Sequence, residues 1–310
     1  MDATSPPSDP KVRDPEAILN RLEWTVLRRL DGLLQGDYRT LFRGFGLDLA
    51  DIREYQYGDE VRHIDWNVTA RLQTPYVREY HEDRDLTAWF LVDLSRSLDF
   101  GAGALKQSVA TRFVAALARL LTRHGNRVGA MLYGTSVDEI IPARAGRRHV
   151  LYLLHRMMTR PALSPGEGTD LGALLRGAFG VLNRRSLVFV VSDFISAPGW
   201  AKPLAQLARR HEVLAVPVCD PLERELPPLG ALTIEDAETG EQLFVDTQDR
   251  GFRERFSRLG SQREEALRAA FAQAGIDALE LSTEDDLAAT LMRFAALRKK
   301  RVIRHDLPLA

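Results

Sequence analysis

The chain has 310 residues, 45% hydrophobic and 27% charged, a mix that excludes a disordered or collagen-like protein and suffices for one large or two small domains. Forty-two basic against forty-three acidic side chains leave a net charge of -1, which speaks against a wholesale nucleic-acid binder. The single Cys219 excludes an intramolecular disulfide and a Cys-based zinc cluster.

Residues 1–13 are rich in Pro, Ser and Asp, and a disordered tail is expected there. They carry no apolar signal core, and no run approaches the roughly 18 apolar residues of a membrane span. A cytoplasmic protein without a membrane span is the expectation. A helix is predicted over 14–35, with Asp14 as its cap, Pro15 in its first turn and Gly36 at its end. Ile18, Leu22, Val26, Leu30 and Leu33 recur at helical spacing, so one face must dock.

Residues 44–85 read as two extended stretches, from Gly44 to Tyr55 and from Pro75 to Glu82. They bracket a turn at Tyr57-Gly58-Asp59 and a short helical piece from Val61 to Leu72. From residue 86 strands and helices alternate. Strands are predicted at 86–92, 127–133, 137–141, 187–191, 213–218 and 278–281, with an edge strand at 242–245. Helices are predicted at 105–122, 147–158, 170–182, 204–210, 250–274 and 285–298. Apolar strands alternating with helices imply a three-layer, doubly wound α/β fold with a mostly parallel sheet. The expected organisation is a tail over 1–13, a helix-plus-hairpin extension over 14–85, the α/β domain over 86–298 and a basic tail over 299–310.

In such a sheet, ligands bind beyond the carboxyl ends of the strands. Asp93-Leu94-Ser95-Arg96-Ser97 follows the first strand and Ser192-Asp193 follows the strand at 187–191. Thr169 precedes the helix at 170. If the two strands are parallel neighbours, Asp93 and Asp193 emerge at one edge. Two carboxylates and three hydroxyls are hard oxygen donors suited to Mg²⁺, with Mn²⁺ or Ca²⁺ as substitutes. Singly, each has a blander reading: Ser95 and Ser97 as turn caps, Thr169 as a helix N-cap, Asp93 as a capping carboxylate. Two carboxylates without a cation repel one another, so removing either is expected to be neutral or mildly stabilising in the metal-free protein.

Asp93-x-Ser95-x-Ser97, Thr169 and Asp193 resemble the metal-ion-dependent adhesion site of the von Willebrand factor A fold. Arg53-x-Tyr55-x-x-Gly58-Asp59-x-x-Arg62-x-Ile64-Asp65-Trp66 with Ala70-Arg71 resembles the signature of the domain-of-unknown-function 58 family. That family places this signature before a von Willebrand A-like domain. Leu98 stands where the adhesion motif often has Met, a near-neutral apolar exchange. The resemblance implies a partner among MoxR-type AAA+ ATPases and a chaperone-like role in maturing other proteins. Many relatives carry membrane helices near the N-terminus, a feature this sequence does not show. Read from its residues, the 57–71 segment is expected to be a structural clasp, with Trp66 as a buried apolar anchor and Asp59, Arg62, Asp65 and Arg71 as candidate ion-pair partners.

No Gly-x-x-x-x-Gly-Lys-Ser/Thr is present, and the histidines lack His-Glu-x-x-His spacing. The basic run from Arg298 to Arg301 reads as the solvated end of a helix. Two functions remain. One is an adaptor, not an enzyme, whose bound cation is completed by an acidic side chain of a client protein. The other is a Mg²⁺-dependent phosphoryl-transfer hydrolase using Asp93. Against the second, the haloacid-dehalogenase-like phosphatases that such a site resembles need a general-acid Asp where this sequence has Ser95, and no lysine is expected near the later strands.

Overall fold

The computed structural model describes residues 14–29, 52–56, 64–78, 87–101, 104–160, 168–237 and 239–305. The expected tail at 1–13, Gly36, Gly58, Asp59 and Arg62 lie outside the described residues.

Helix α1 (Pro15–Leu22) continues as a π-helical turn over Glu23–Leu27. Asp14 caps it as expected, its carboxylate accepting from Glu16 N at 2.9 Å. Strands β1 (Ile52–Glu54) and β2 (Tyr76–Arg78) form an antiparallel ribbon around α2 (Trp66–Leu72). Then follow β3 (Thr87–Asp93), α3 (Lys106–Arg123), β4 (Arg127–Tyr133), β5 (Val137–Arg144) and α4 (Arg147–Met158). Next come α5 (Leu171–Val181), β6 (Leu187–Ser192), α6 (Ala201–Ala208) and β7 (Glu212–Cys219). The described chain ends through β8 (Ala231–Glu235), β9 (Gln242–Asp246), α7 (Arg250–Ala274), β10 (Asp277–Ala278), β11 (Leu281–Ser282) and α8 (Leu287–His305).

The main sheet runs β10-β7-β6-β3-β4-β5, with β11 also pairing β7. Every pairing is parallel except β4 with β5. Strand pleating divides the core in two. Phe90, Val92, Phe189 and Val191 face the layer containing α1, α3, α4 and α8. Trp89, Leu91, Val188 and Val190 face the layer of α5, α6 and α7. Hence the strands read as continuous apolar runs: both faces are covered. Gly129 in β4 makes room for Trp89, whose ring would lie 2.9 Å from an added Cβ. The doubly wound, mostly parallel α/β architecture stands as expected.

Three local expectations change. The stretch at 242–245 does not join the main sheet; as β9 it pairs antiparallel with β8 in a separate two-stranded ribbon. Residues 231–235 alternate exposed and half-buried, a weak pattern that acquires meaning only when a partner strand is present. Helix α8 continues to His305, so 299–305 extend a helix that was expected to stop at 298. Trp66 is not a buried anchor: it is 66% exposed, at the first position of a seven-residue helix with no buried residue. Among the described signature residues the buried one is Asp65, whose carboxylate caps α2 by accepting from Asn67 N (3.0 Å) and Val68 N (3.2 Å).

Candidate functional site

Strands β3 and β6 are parallel neighbours in the register Val92↔Val191, so Asp93 and Ser192-Asp193 leave the sheet at the same edge. Asp93 is fully buried. Its Oδ1 accepts from Ser95 N at 2.9 Å and its Oδ2 from Ser192 Oγ at 2.7 Å. The turn that these bonds close sets Ser95 Oγ 3.0 Å from Ser97 Oγ, both buried.

The loop before α5 is tied to the same edge. Thr169 is buried and its carbonyl accepts from Ala197 N and Ser196 Oγ, each at 2.9 Å. Tyr133 Oη accepts from Asp170 N at 3.1 Å, while the Tyr133 carbonyl accepts from Leu94 N at 2.7 Å. Thr169 is not the N-cap of α5. Asp170 is, through Ala173 N at 3.1 Å, which leaves the capping alternative for Thr169 without support.

Beyond β6 the backbone turns through a left-handed conformation at Phe194, φ +56°. For a bulky side chain that costs roughly 1–3 kcal/mol and persists only when its surroundings hold it. Here the ring packs between Trp200 and Phe271, with centroids 5.3 and 5.0 Å away. Phe194 N donates to Ser192 Oγ and Ile195 N to Asp193 Oδ1, both at 2.9 Å. Asp193 therefore sits on a rigid turn.

Lys106, the first residue of α3, lies wholly buried at this edge. Its Nζ donates to Asp193 Oδ2 at 2.7 Å and to Glu223 Oε1 at 2.6 Å. The expectation that no lysine lies near the later strands is thus wrong, because the helix after β3 delivers its first side chain toward the end of β6. The expectation for Asp193 also changes: its removal leaves a buried ammonium with one partner instead of two, which destabilises. A second cation, Arg160, donates from Nη1 to the carbonyls of Leu94 (3.0 Å) and Tyr133 (2.9 Å) and pairs with Asp138.

The electrostatics follow from burial. Asp93 is pushed up to about 6, first by loss of water and then by the Asp193 charge, against the pull of its Ser192 and Ser95 hydrogen bonds. For Lys106, burial pulls the ammonium down, but the Asp193 and Glu223 carboxylates outweigh it and the net direction is up.

Among the described residues no three His, Cys, Asp or Glu side chains are grouped to hold a metal ion. A site built mainly from hydroxyls would contain only two such groups, Asp93 and Asp193. Its donors fit a small hard cation in one measurable respect. Ser95 Oγ and Ser97 Oγ hydrogen-bond to each other at 3.0 Å, a separation close to the roughly 3 Å between adjacent oxygens of an octahedron with arms of roughly 2.0–2.1 Å. The structure thus brings Asp93, Ser95 and Ser97 into one turn and ties Thr169 and Asp193 to the same edge. Of the signature residues, Tyr55, Asp65, Trp66 and Arg71 and the backbone of Arg53 belong to the β1–α2–β2 ribbon. Lys106, Glu223 and Arg160 escaped the sequence reading, and Ser192 was named there without a role. The available signal for Lys106 was a lysine opening an apolar helix in a chain with only five lysines.

The model of the family described as "Protein of unknown function DUF58" matches residues 51–266. The chain belongs to this family. Its relatives include "Uncharacterized protein Rv1480" of Mycobacterium tuberculosis and "Uncharacterized protein Mb1516" of Mycobacterium bovis. Each is 37% identical over 295 residues, covering 94% of this chain and 91% of the relative. Among solved structures, the conserved hypothetical protein BatB from Bacteroides thetaiotaomicron superposes with a TM-score of 0.43 at 14% identity, covering 69% of this chain and 99% of that one. That likeness is too distant to carry function. No helix among the described residues of this DUF58 chain is long and apolar enough to cross a membrane.

Proposed function

We propose that this DUF58 protein is a cytoplasmic, metal-dependent protein-binding adaptor. It works with a MoxR-type AAA+ ATPase in the remodelling or maturation of client proteins. The observation that carries the reading is the turn in which Asp93, fully buried, positions the Ser95 and Ser97 hydroxyls 3.0 Å apart at the sheet edge. Asp93, Ser95, Ser97, Thr169 and Asp193 would hold Mg²⁺, or Mn²⁺ or Ca²⁺ in its place, as the resemblance to von Willebrand A adhesion sites implies. When bound, the cation supplies an open coordination position for an acidic side chain of the client. The protein's own contribution is to hold the two hydroxyls in place, through the bonds from Ser95 N and Ser192 Oγ to Asp93, and to fix Asp193 on the Phe194 turn.

The test is capture of a co-expressed MoxR-type ATPase by the full chain in Mg²⁺ and again in EDTA. Capture is expected in Mg²⁺ alone, lost in Asp93→Ala and weakened in Thr169→Val. Equal capture in EDTA would sink the adaptor reading.

One observation favours the phosphoryl-transfer alternative: Lys106 beside Asp193 supplies the cation such chemistry uses on a phosphoryl group. Ser95 still stands where the general acid is needed. Phosphate release from small esters by the wild type but not by Asp93→Ala would decide for the enzyme.

A further inference from the structure

Lys106 is out of place by every local rule. A cation at a helix N-terminus opposes the helix dipole, and a fully buried ammonium is costly unless paired. Yet Lys106 opens α3 with no exposed surface, in a chain that uses arginine for all but five of its 42 basic residues. Its compact ammonium bridges Asp193 Oδ2 at 2.7 Å and Glu223 Oε1 at 2.6 Å. Both anchors are firm. Asp193 is held by Ile195 N on Oδ1, and Arg263 donates to its carbonyl at 3.2 Å. Glu223 closes a capping box with Asp220, accepting from Asp220 N at 3.1 Å, and Asp220 in turn accepts from Thr283 Oγ1 at 2.7 Å. The lysine is therefore a tethered cation built into the wall of the candidate metal site.

We propose that Lys106 is a positioning residue that restrains Asp193 and sets the cation affinity of the site. The inference rests on the metal-site reading above. With Oδ2 of Asp193 engaged by the ammonium and Oδ1 by a backbone amide, the carboxylate is held in one orientation and each oxygen has a single lone pair left for a cation. The ammonium also offsets one of the two site carboxylates. Both effects weaken divalent-cation binding, and both keep the bound cation short of anionic ligands, so that a partner's carboxylate gains more by completing it. Glu223 acts in the opposite sense: it draws part of the ammonium's charge away from Asp193.

The experiment is calorimetric titration of the full chain with Mg²⁺ after EDTA stripping, with thermal unfolding of each variant alongside. Lys106→Met is expected to melt lower, yet to bind Mg²⁺ at least about tenfold more tightly, because a unit charge of like sign has left a poorly screened site. A lysine that merely supports the fold would lower stability and affinity together. Glu223→Gln leaves Lys106 to Asp193 alone and is expected to weaken Mg²⁺ binding several-fold. This second variant decides the matter if Lys106→Met does not fold: unchanged affinity in Glu223→Gln overturns the proposal. Wild-type binding that Lys106→Met does not strengthen overturns it too, while leaving the metal site standing. Absence of Mg²⁺ binding in the wild type and in both variants overturns the metal-site reading itself, and this inference with it. Binding in Lys106→Met but not in the wild type supports the inference in its strongest form, with the lysine as the resident cation.

Discussion

The ammonium of Lys106 lies 2.7 Å from Oδ2 of Asp193, with both side chains shut off from water. Asp193 is paired directly with a cation, whereas the hydrogen bonds to Asp93 come from neutral donors, Ser95 N and Ser192 Oγ among them.

Asp193→Ala should therefore destabilise the metal-free protein by about 3 kcal/mol, the scale for breaking one side of a buried pair. Urea denaturation in EDTA measures it. Combining the change with Lys106→Met should cost less than the sum of the two single changes, because partners in one network do not add. Strict additivity would mean that the two side chains are not paired in solution.

Asp93→Asn should act in the opposite direction in metal-free buffer. The unfolded carboxyl ionises near 3.8, whereas burial and the Asp193 charge raise it to about 6 in the folded chain. Its favourable contribution is complete below pH 3.8 and lost as pH rises through 6. Roughly two pH units correspond to about 3 kcal/mol. At pH 8 in EDTA the Asn variant should melt higher than wild type; at pH 4 the two should coincide. Melting curves at both values check the sign, and a wild type that melts higher at pH 8 would contradict it.

Gly134→Ala should cost about 1–3 kcal/mol, as overpacking does. An added Cβ would meet the Arg160 guanidinium, which cannot swing aside without losing its bonds to the Leu94 and Tyr133 carbonyls. Placing the change in an Arg160→Met background should recover part of the loss, as read by thermal unfolding. No recovery would locate the cost in the backbone.

Asp65→Ala should cost about 1 kcal/mol, the usual value of an N-cap, while Trp66→Ala should change stability by less than about 0.5 kcal/mol, as exposed positions do. Chemical denaturation of the two variants separates the structural member of the signature from the free one. A larger loss at Trp66 than at Asp65 would restore the buried-anchor reading.

The sequence by itself determined the strands of the parallel core, β3, β4, β6 and β7, and at which end of the sheet Asp93 and Asp193 emerge. Apolar runs such as Leu187–Val191 state locally that both faces are covered, and a parallel sheet then places the residues that follow at one edge. The turn hydroxyls Ser95 and Ser97 were legible for the same reason, because they lie within four residues of Asp93. What only the tertiary structure decided is the cation beside Asp193: Lys106 is 87 residues away in the chain and Glu223 is 117 residues from Lys106. Periodicity records which face of an element is apolar, and carries nothing about which helix end meets which strand end. The exposure of Trp66 and the pairing of β9 with β8 were hidden likewise, since a seven-residue helix and a five-residue strand take their partners from neighbours, not from their own pattern.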